Sequence, residues 1–459
     1  MATMVDYLAW RGDLDFAERP FNDVDALVLG TLSYVDFSGV VPGAGEGGIR
    51  LADAAEALLR RADGNLAPYV RSMASIKESF LEGLARSRRF GDLWLTTYAD
   101  EVDDSISLQF AALTVDLTGR GVAVGGRSVD AYVSFRGTDL SLAGWQEDFM
   151  LGFTITRAQT LARTYLRDAL QTYGGVLVGG HSKGGNLVSY ATATVGPKLA
   201  EGIVRAWSLD GPGMDESLMA KGPHDALGPR FVRLQPAYSV VGQLFDRPET
   251  PRTYVRSDAS GLAQHDPMTW QVSRDSLAEA EGLEPAANVV NESLASWLAG
   301  MGMAEREALT TELFEVLEAG GATDLNELVR PESLQKVLAA AGSVSPRTKD
   351  LMGRLVEANV NGARAAVGKA VLEARDAAGQ AAADFAQGAV GRVGAEAREI
   401  TGALSDFVAT LPVIGHANPE PEGAADDLPA PDYISIPQTL SSGGDAFLSK
   451  GEDDAAGRS

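Results

Sequence analysis

Between residues 94 and 260, short apolar runs alternate with stretches of helical periodicity, the pattern of an α/β sheet. SLQFAALTVDL (107–117) and DAYVSFRG (130–137) read as strands, separated by the turn-rich TGRGVAVGGRS. The segment ITRAQTLARTYLRDALQT (155–172) sets Leu161, Tyr165, Leu166 and Leu170 at helical spacing. GGVLVGG (174–180) is a short continuous apolar run, which suits a strand buried on both faces, and a helix is expected directly after Ser182. Further strands are expected at IVRAWSLD (203–210), RFVRLQP (230–236) and RTYVRSD (252–258). Strand, helix, strand in repetition predicts a mainly parallel, doubly wound sheet with its chemistry at the carboxyl ends of the strands. The first 90 residues, with the amphipathic DAAEALLRRA, read as helices packed against that sheet.

Past about residue 276 strand signals stop and Ala, Leu, Glu and Arg dominate, as in EREALTTELFEVLEAGG, so 276–411 is expected to be helical. Residues 351–409 are rich in Ala and Gly, and each Gly weakens a helix by about 1 kcal/mol relative to Ala. Packed helices are the first expectation there; an amphipathic segment that seeks a membrane surface is the alternative. After Pro412 the composition turns to Pro, Gly, Ser, Asp and Glu, too little apolar surface to offset ordering entropy, and 412–459 reads as a disordered acidic tail. The expected division is therefore 1–275, 276–411 and 412–459.

Charge and cysteine content narrow the chemistry. A formal net charge of -24, from 39 basic and 63 acidic side chains, speaks against nucleic acid as a partner. With 0 cysteines, thiolate nucleophiles, disulfides and Cys-ligated metals are out, so a nucleophile has to be an oxygen or an amine. The N-terminus lacks a basic stretch followed by an apolar core, which predicts a cytoplasmic protein.

GGHSKGGNL (179–187) holds the candidate chemistry. A nucleophile elbow needs an apolar strand ending in a tight turn, small residues two before and two after the serine, and a helix leaving at once. VLVGG leads in, Gly180 and Gly184 flank Ser182 at that spacing, and NLVSYATATV leads out. The helix start would also direct backbone N–H groups toward the hydroxyl. Serine needs a base, and the chain has 4 histidines: His181, His224, His265 and His416. His265, on a loop after the last expected strand, suits the chain order Ser, acid, His. His181 adjoins the serine and should point away from it. For the acid, Asp210 at the end of RAWSLD is the first choice, Asp246 the second, and Asp266 suffers from adjacency to His265.

VSFRGTDLSLAGWQEDF (133–149) together with GHSKGGNL resembles the class 3 lipases, in which F-R-G-[ST] is followed by Trp and Asp and the elbow reads G-H-S-x-G-G. The stretch from VDYLAWRGD to GLAQHDPMTW, about the first 275 residues, is similar to a bacterial family of lipase-like α/β-hydrolases of unassigned activity. The resemblance implies an α/β-hydrolase fold with Ser182 as nucleophile and His265 as base. It also implies an oxyanion hole built on the backbone N–H groups of Thr138 and Lys183. Trp145 and Asp148 match the W-x-x-D segment and read as structural. Two positions depart from the pattern. Lipases of this class carry the acid after the following strand, where this chain has QPAYSVVGQ with Ser239, so Asp210 would act from the preceding strand. Lys183 replaces a common apolar residue, and either favours an anionic substrate group or is solvated. The expected function is a serine hydrolase of lipid or acyl esters, with no metal or organic cofactor. The rival expectation is a hydrolase fold kept as a binding or scaffolding module.

Overall fold

The computed structural model describes residues 1–43, 45–72, 74–103, 108–138, 146, 150–152, 154–216, 218–219, 221–247, 250–298, 301–319, 336, 344–346 and 348. All of these belong to the unit Met1–Leu411. The segment 351–409, the tail 412–459, Trp145 and Asp148 lie outside the described residues.

Eight strands form the central sheet in the order β1-β2-β3-β6-β7-β8-β9-β10: β1 (Ile49–Arg50), β2 (Trp94–Asp103), β3 (Leu108–Asp116), β6 (Ala131–Phe135), β7 (Val176–His181), β8 (Ile203–Leu209), β9 (Phe231–Pro236) and β10 (Thr253–Val255). From β6 to β10 every pairing is parallel. The pairings β1 with β2, β2 with β3 and β3 with β6 are antiparallel. The expected parallel sheet is thus found over five strands, with an antiparallel edge added on one side. The turn-rich segment between β3 and β6 contains a small hairpin, β4 (Ala123–Val124) with β5 (Arg127–Ser128). A second hairpin, β11 (Val272–Ser273) with β12 (Ser276–Leu277), follows β10.

Helices cover both faces because the central strands are apolar on both. Along β7, Leu177 joins the core under the N-terminal helices, while Val176 and Val178 face the opposite core. The first face is covered by α1 (Met4–Arg11), α2 (Asp23–Leu32), α3 (Leu51–Ala62) and α4 (Glu78–Arg86), the second by α5 (Arg157–Thr172) and α6 (Lys183–Thr194). α2, apolar nearly all round, lies across β6 and β7. Its start is fixed by the Asn22 side chain, which accepts from the backbone N–H groups of Val24 and Asp25 at 2.8 and 3.1 Å. Tyr132 of β6 donates to the Ala26 carbonyl at 2.8 Å, and Trp207 of β8 donates to Asp23 at 2.8 Å, so the sheet also holds α2 by its polar atoms. Short helices α7 (Pro197–Ala200) and α8 (Pro223–Leu227) occupy the crossovers; α9 (Pro285–Leu298) and α10 (Met303–Ala319) follow the second hairpin. No described helix is long and apolar enough to cross a membrane.

Candidate active site

The parallel register brings three strand exits to one edge. Phe135 pairs with Gly180, and His181 pairs with Leu209, so 136–138, Ser182 and Asp210 leave the sheet side by side. The Ser182 N–H donates to the Leu209 carbonyl at 2.9 Å, and the Asp210 N–H to the Leu234 carbonyl at 2.7 Å.

Ser182 sits between β7 and α6 with φ 58° and ψ -128°. A non-glycine residue in such a conformation costs on the order of 1–3 kcal/mol and persists only where its surroundings impose it. Here they do, through crowding. A Cβ at Gly180 would overlap the Gly184 carbonyl group and stand 2.9 Å from its Cα; one at Gly184 would overlap the Phe135 carbonyl. The two glycines let strand, turn and helix start approach this closely, and the serine is left at the apex.

His265 lies in a short 3-10 turn, Gly261–His265, beyond β10. Its Nδ1 is 2.6 Å from Asp210 Oδ2, and both residues are buried. The other carboxylate oxygen, Oδ1, accepts from the Ser239 hydroxyl at 2.5 Å. Ser239, at the position where the lipase pattern has its acid, thus holds the carboxylate of the acid candidate Asp210, which follows the neighbouring strand. Asp210 itself has φ 48°, in the left-handed region, directly after β8. Asp246 is engaged elsewhere, paired with both Arg233 and Arg252. Asp266 accepts from the backbone N–H and hydroxyl of Ser75 at 3.1 and 2.5 Å, and caps the next turn through Met268 N–H at 2.9 Å. Of the three acids weighed from the sequence, the structure brings Asp210 to His265. Among the other histidines, His224 lies in α8, and His416 is outside the described residues.

The loop bearing His265 is tied from several directions. Trp270 donates its indole N–H to the Gln264 carbonyl at 2.9 Å. The Gln264 side chain accepts from Tyr238 N–H at 2.9 Å and donates to Glu284 at 2.8 Å. His181 Nε2 is 2.8 Å from the His265 carbonyl oxygen, and the two imidazoles lie with centroids 4.5 Å apart, tilted by 38°. Since His181 directly precedes Ser182, this contact puts the base candidate beside the elbow. Burial first, and then the neighbouring His265 ring, lower the His181 pKa well below the ordinary histidine value. It is therefore held neutral.

Thr138 and Lys183 are both buried at the same edge, Thr138 just past β6 and Lys183 as the first residue of α6. Of the two readings weighed for Lys183, solvation fails: the residue is 0 % exposed. Two side chains that tie down residues around the elbow and His265 carried no usable sign in the sequence. Tyr34, whose hydroxyl is 2.7 Å from His181 Nδ1, reaches the site from a position 147 residues earlier. Ser75 comes from the N-terminal layer as well.

A comparison with curated proteins finds no match. Among solved structures, the crystal structure of M37 lipase is similar at 15% identity and a TM-score of 0.28, over 49% of this chain and 70% of that one. A likeness that loose adds nothing to the geometry above. The model of the Mbeg1-like family matches residues 84–315, which takes in the sheet from β2 to β10, the elbow, Asp210 and His265. On that match the chain belongs to the Mbeg1-like family.

Proposed function

We propose that this chain is a lipase-like serine hydrolase, cleaving carboxylic esters, with lipid or acyl esters as the first substrate class, through an acyl-enzyme. The observation that carries the reading is the conjunction at one sheet edge of a serine at φ 58° with a buried 2.6 Å contact between His265 and Asp210.

In this scheme Asp210 accepts the Nδ1 proton of His265, which leaves Nε2 as the basic nitrogen. His265 takes the Ser182 proton as Oγ attacks the ester carbonyl, and the imidazolium so formed is stabilised by Asp210. The oxyanion is met by the backbone N–H groups of Thr138 and Lys183, and one such donor lowers the barrier by about 3 kcal/mol in comparable sites. His265 then protonates the departing alcohol. Water, activated by the same imidazole, releases the acid and regenerates the serine. The scheme draws on no metal or organic cofactor.

The test is turnover of a p-nitrophenyl ester panel of increasing acyl length by the full chain beside Ser182→Ala. Saturable turnover by the wild type that falls at least about 10³-fold in the variant is expected. Equal rates in the two proteins would reject the nucleophile, and no turnover across the panel would favour a binding role for the fold.

A further inference from the structure

We propose that His181 and Tyr34 are positioning residues for the base: the Tyr34 hydroxyl fixes the orientation of the His181 ring, and that ring holds the backbone of His265 against the elbow. The inference rests on the hydrolase reading for its kinetic consequences, while its geometry stands apart from it.

A backbone carbonyl can only accept, so the 2.8 Å contact between His181 Nε2 and the His265 oxygen requires a proton on Nε2. In a neutral imidazole the other nitrogen is then an acceptor, and the Tyr34 hydroxyl donates to it at 2.7 Å. Burial and the adjacent His265 ring exclude the doubly protonated form. The carbonyl at the Nε2 end therefore sets one tautomer, and the Tyr34 hydroxyl, able to donate or accept, completes it at the other end. Tyr34 is buried and fixed by its own backbone: its N–H donates to the Thr31 carbonyl at 3.1 Å, and its carbonyl accepts from Arg71 at 3.0 Å. Its hydroxyl also fills the space over the oxyanion segment, since a Cβ at Gly137 would overlap it and stand 2.6 Å from the His181 carbonyl oxygen. A single phenol thus adjoins the segment before Thr138, the residue before Ser182 and, through the imidazole, the backbone of the base. It lies outside the segment 84–315 that the family model matches, so the N-terminal layer completes the site.

Loss of the brace leaves Ser182, Asp210 and His265 in place chemically but lets the imidazole wander, and misplacement by about 1 Å costs on the order of 10²-fold in rate. The experiment compares the full-length wild type with Tyr34→Phe, His181→Gln and His181→Leu, each checked for unchanged melting. Histidine ¹⁵N spectra give the tautomer of His181, and the downfield Nδ1 proton of His265, bonded to Asp210, reports the position of the base whether or not ester is turned over. The wild type is expected to show His181 neutral and protonated on Nε2. His181→Leu is expected to lose the downfield proton and about 10²-fold in kcat with KM nearly unchanged. His181→Gln keeps an N–H donor and is expected to restore most of both. Tyr34→Phe is expected to lose about tenfold. His181 protonated on Nδ1, or His181→Leu with the wild-type downfield proton, would overturn the inference. A wild type with the expected spectra and no turnover would sink the hydrolase reading and leave the brace standing.

Discussion

At the scale of single residues, the site turns on which carboxylate reaches His265. Asp210 was legible in the sequence as the residue that closes an apolar strand beside the elbow strand, and His265 stood out because the chain has so few histidines. What the sequence could not show is that Ser239 donates to Asp210 rather than standing in an acid's place without a task. That contact makes a prediction. Since the Ser239 hydroxyl is 2.5 Å from Asp210 Oδ1, a carboxylate built at 239 occupies the same space, and the double variant Asp210→Ser/Ser239→Asp should recover roughly tenfold or more in kcat/KM over Asp210→Ser alone. Equal rates for the single and double variants would show that the acid works only from β8.

His181 makes a second prediction at this scale. Burial holds its folded pKa well below the ordinary histidine value of about 6.5, so below that pH the unfolded chain takes up a proton that the folded chain refuses. Stability therefore falls as pH drops through that value toward the folded pKa, by up to ~1.4 kcal/mol per pH unit. Urea unfolding of wild type and His181→Gln over a pH series reads this directly: the variant should show the shallower slope, and identical slopes would place the proton uptake elsewhere.

At the scale of elements, the parallel strands were readable because each is a short apolar run, and all six strands expected from 107 onward are present with ends shifted by a few residues. β2 was not readable. Its residues WLTTYADEVD mix apolar and polar types, and only Leu95 is buried, because the strand lies near an edge, paired between β3 and the two-residue β1, and no strong alternation marks it. Its antiparallel pairing, like that of β3 with β6, is set by tertiary packing that local pattern does not encode. The elbow was legible as spacing, and the structure supplies the reason for it. Gly180→Ala would drive a methyl into the backbone of Gly184, which neither β7 nor α6 can yield without opening the turn. Loss of at least about 3 kcal/mol of stability, or of soluble protein, is expected; a variant that melts like the wild type would show the turn to be less tight than described.

At the scale of the whole molecule, the N-terminal helical layer shares one core with a face of the sheet. Asp25 and Arg89 form an ion pair that is fully buried, with Arg89 Nε 2.7 Å from Asp25 Oδ1, and Tyr7 donates to the same carboxylate at 2.8 Å. The remaining guanidinium donors go to the carbonyls of Leu14, Asp15, Arg19 and Pro20. Removing one partner strands a buried charge, so Asp25→Ala should cost about 3–5 kcal/mol in urea unfolding, and a loss under about 1 kcal/mol would contradict that account. Because Tyr34 and Ser75 belong to the same layer, loosening it should also slow any chemistry at Ser182. Within 276–411, expected to be helical throughout, the described residues begin with strand β12 and continue into α9 and α10; α9 reaches the site edge through Asn291, which donates to the Ser239 carbonyl at 3.1 Å. The central claim is that Ser182 is a nucleophile activated by His265, and the most direct measurement is mass spectrometric mapping of a fluorophosphonate adduct on the native full-length protein. The account predicts one adduct, on the peptide containing Ser182, absent from Ser182→Ala and strongly slowed in His265→Ala. An adduct on another residue, or unchanged labelling when His265 is replaced, would contradict it.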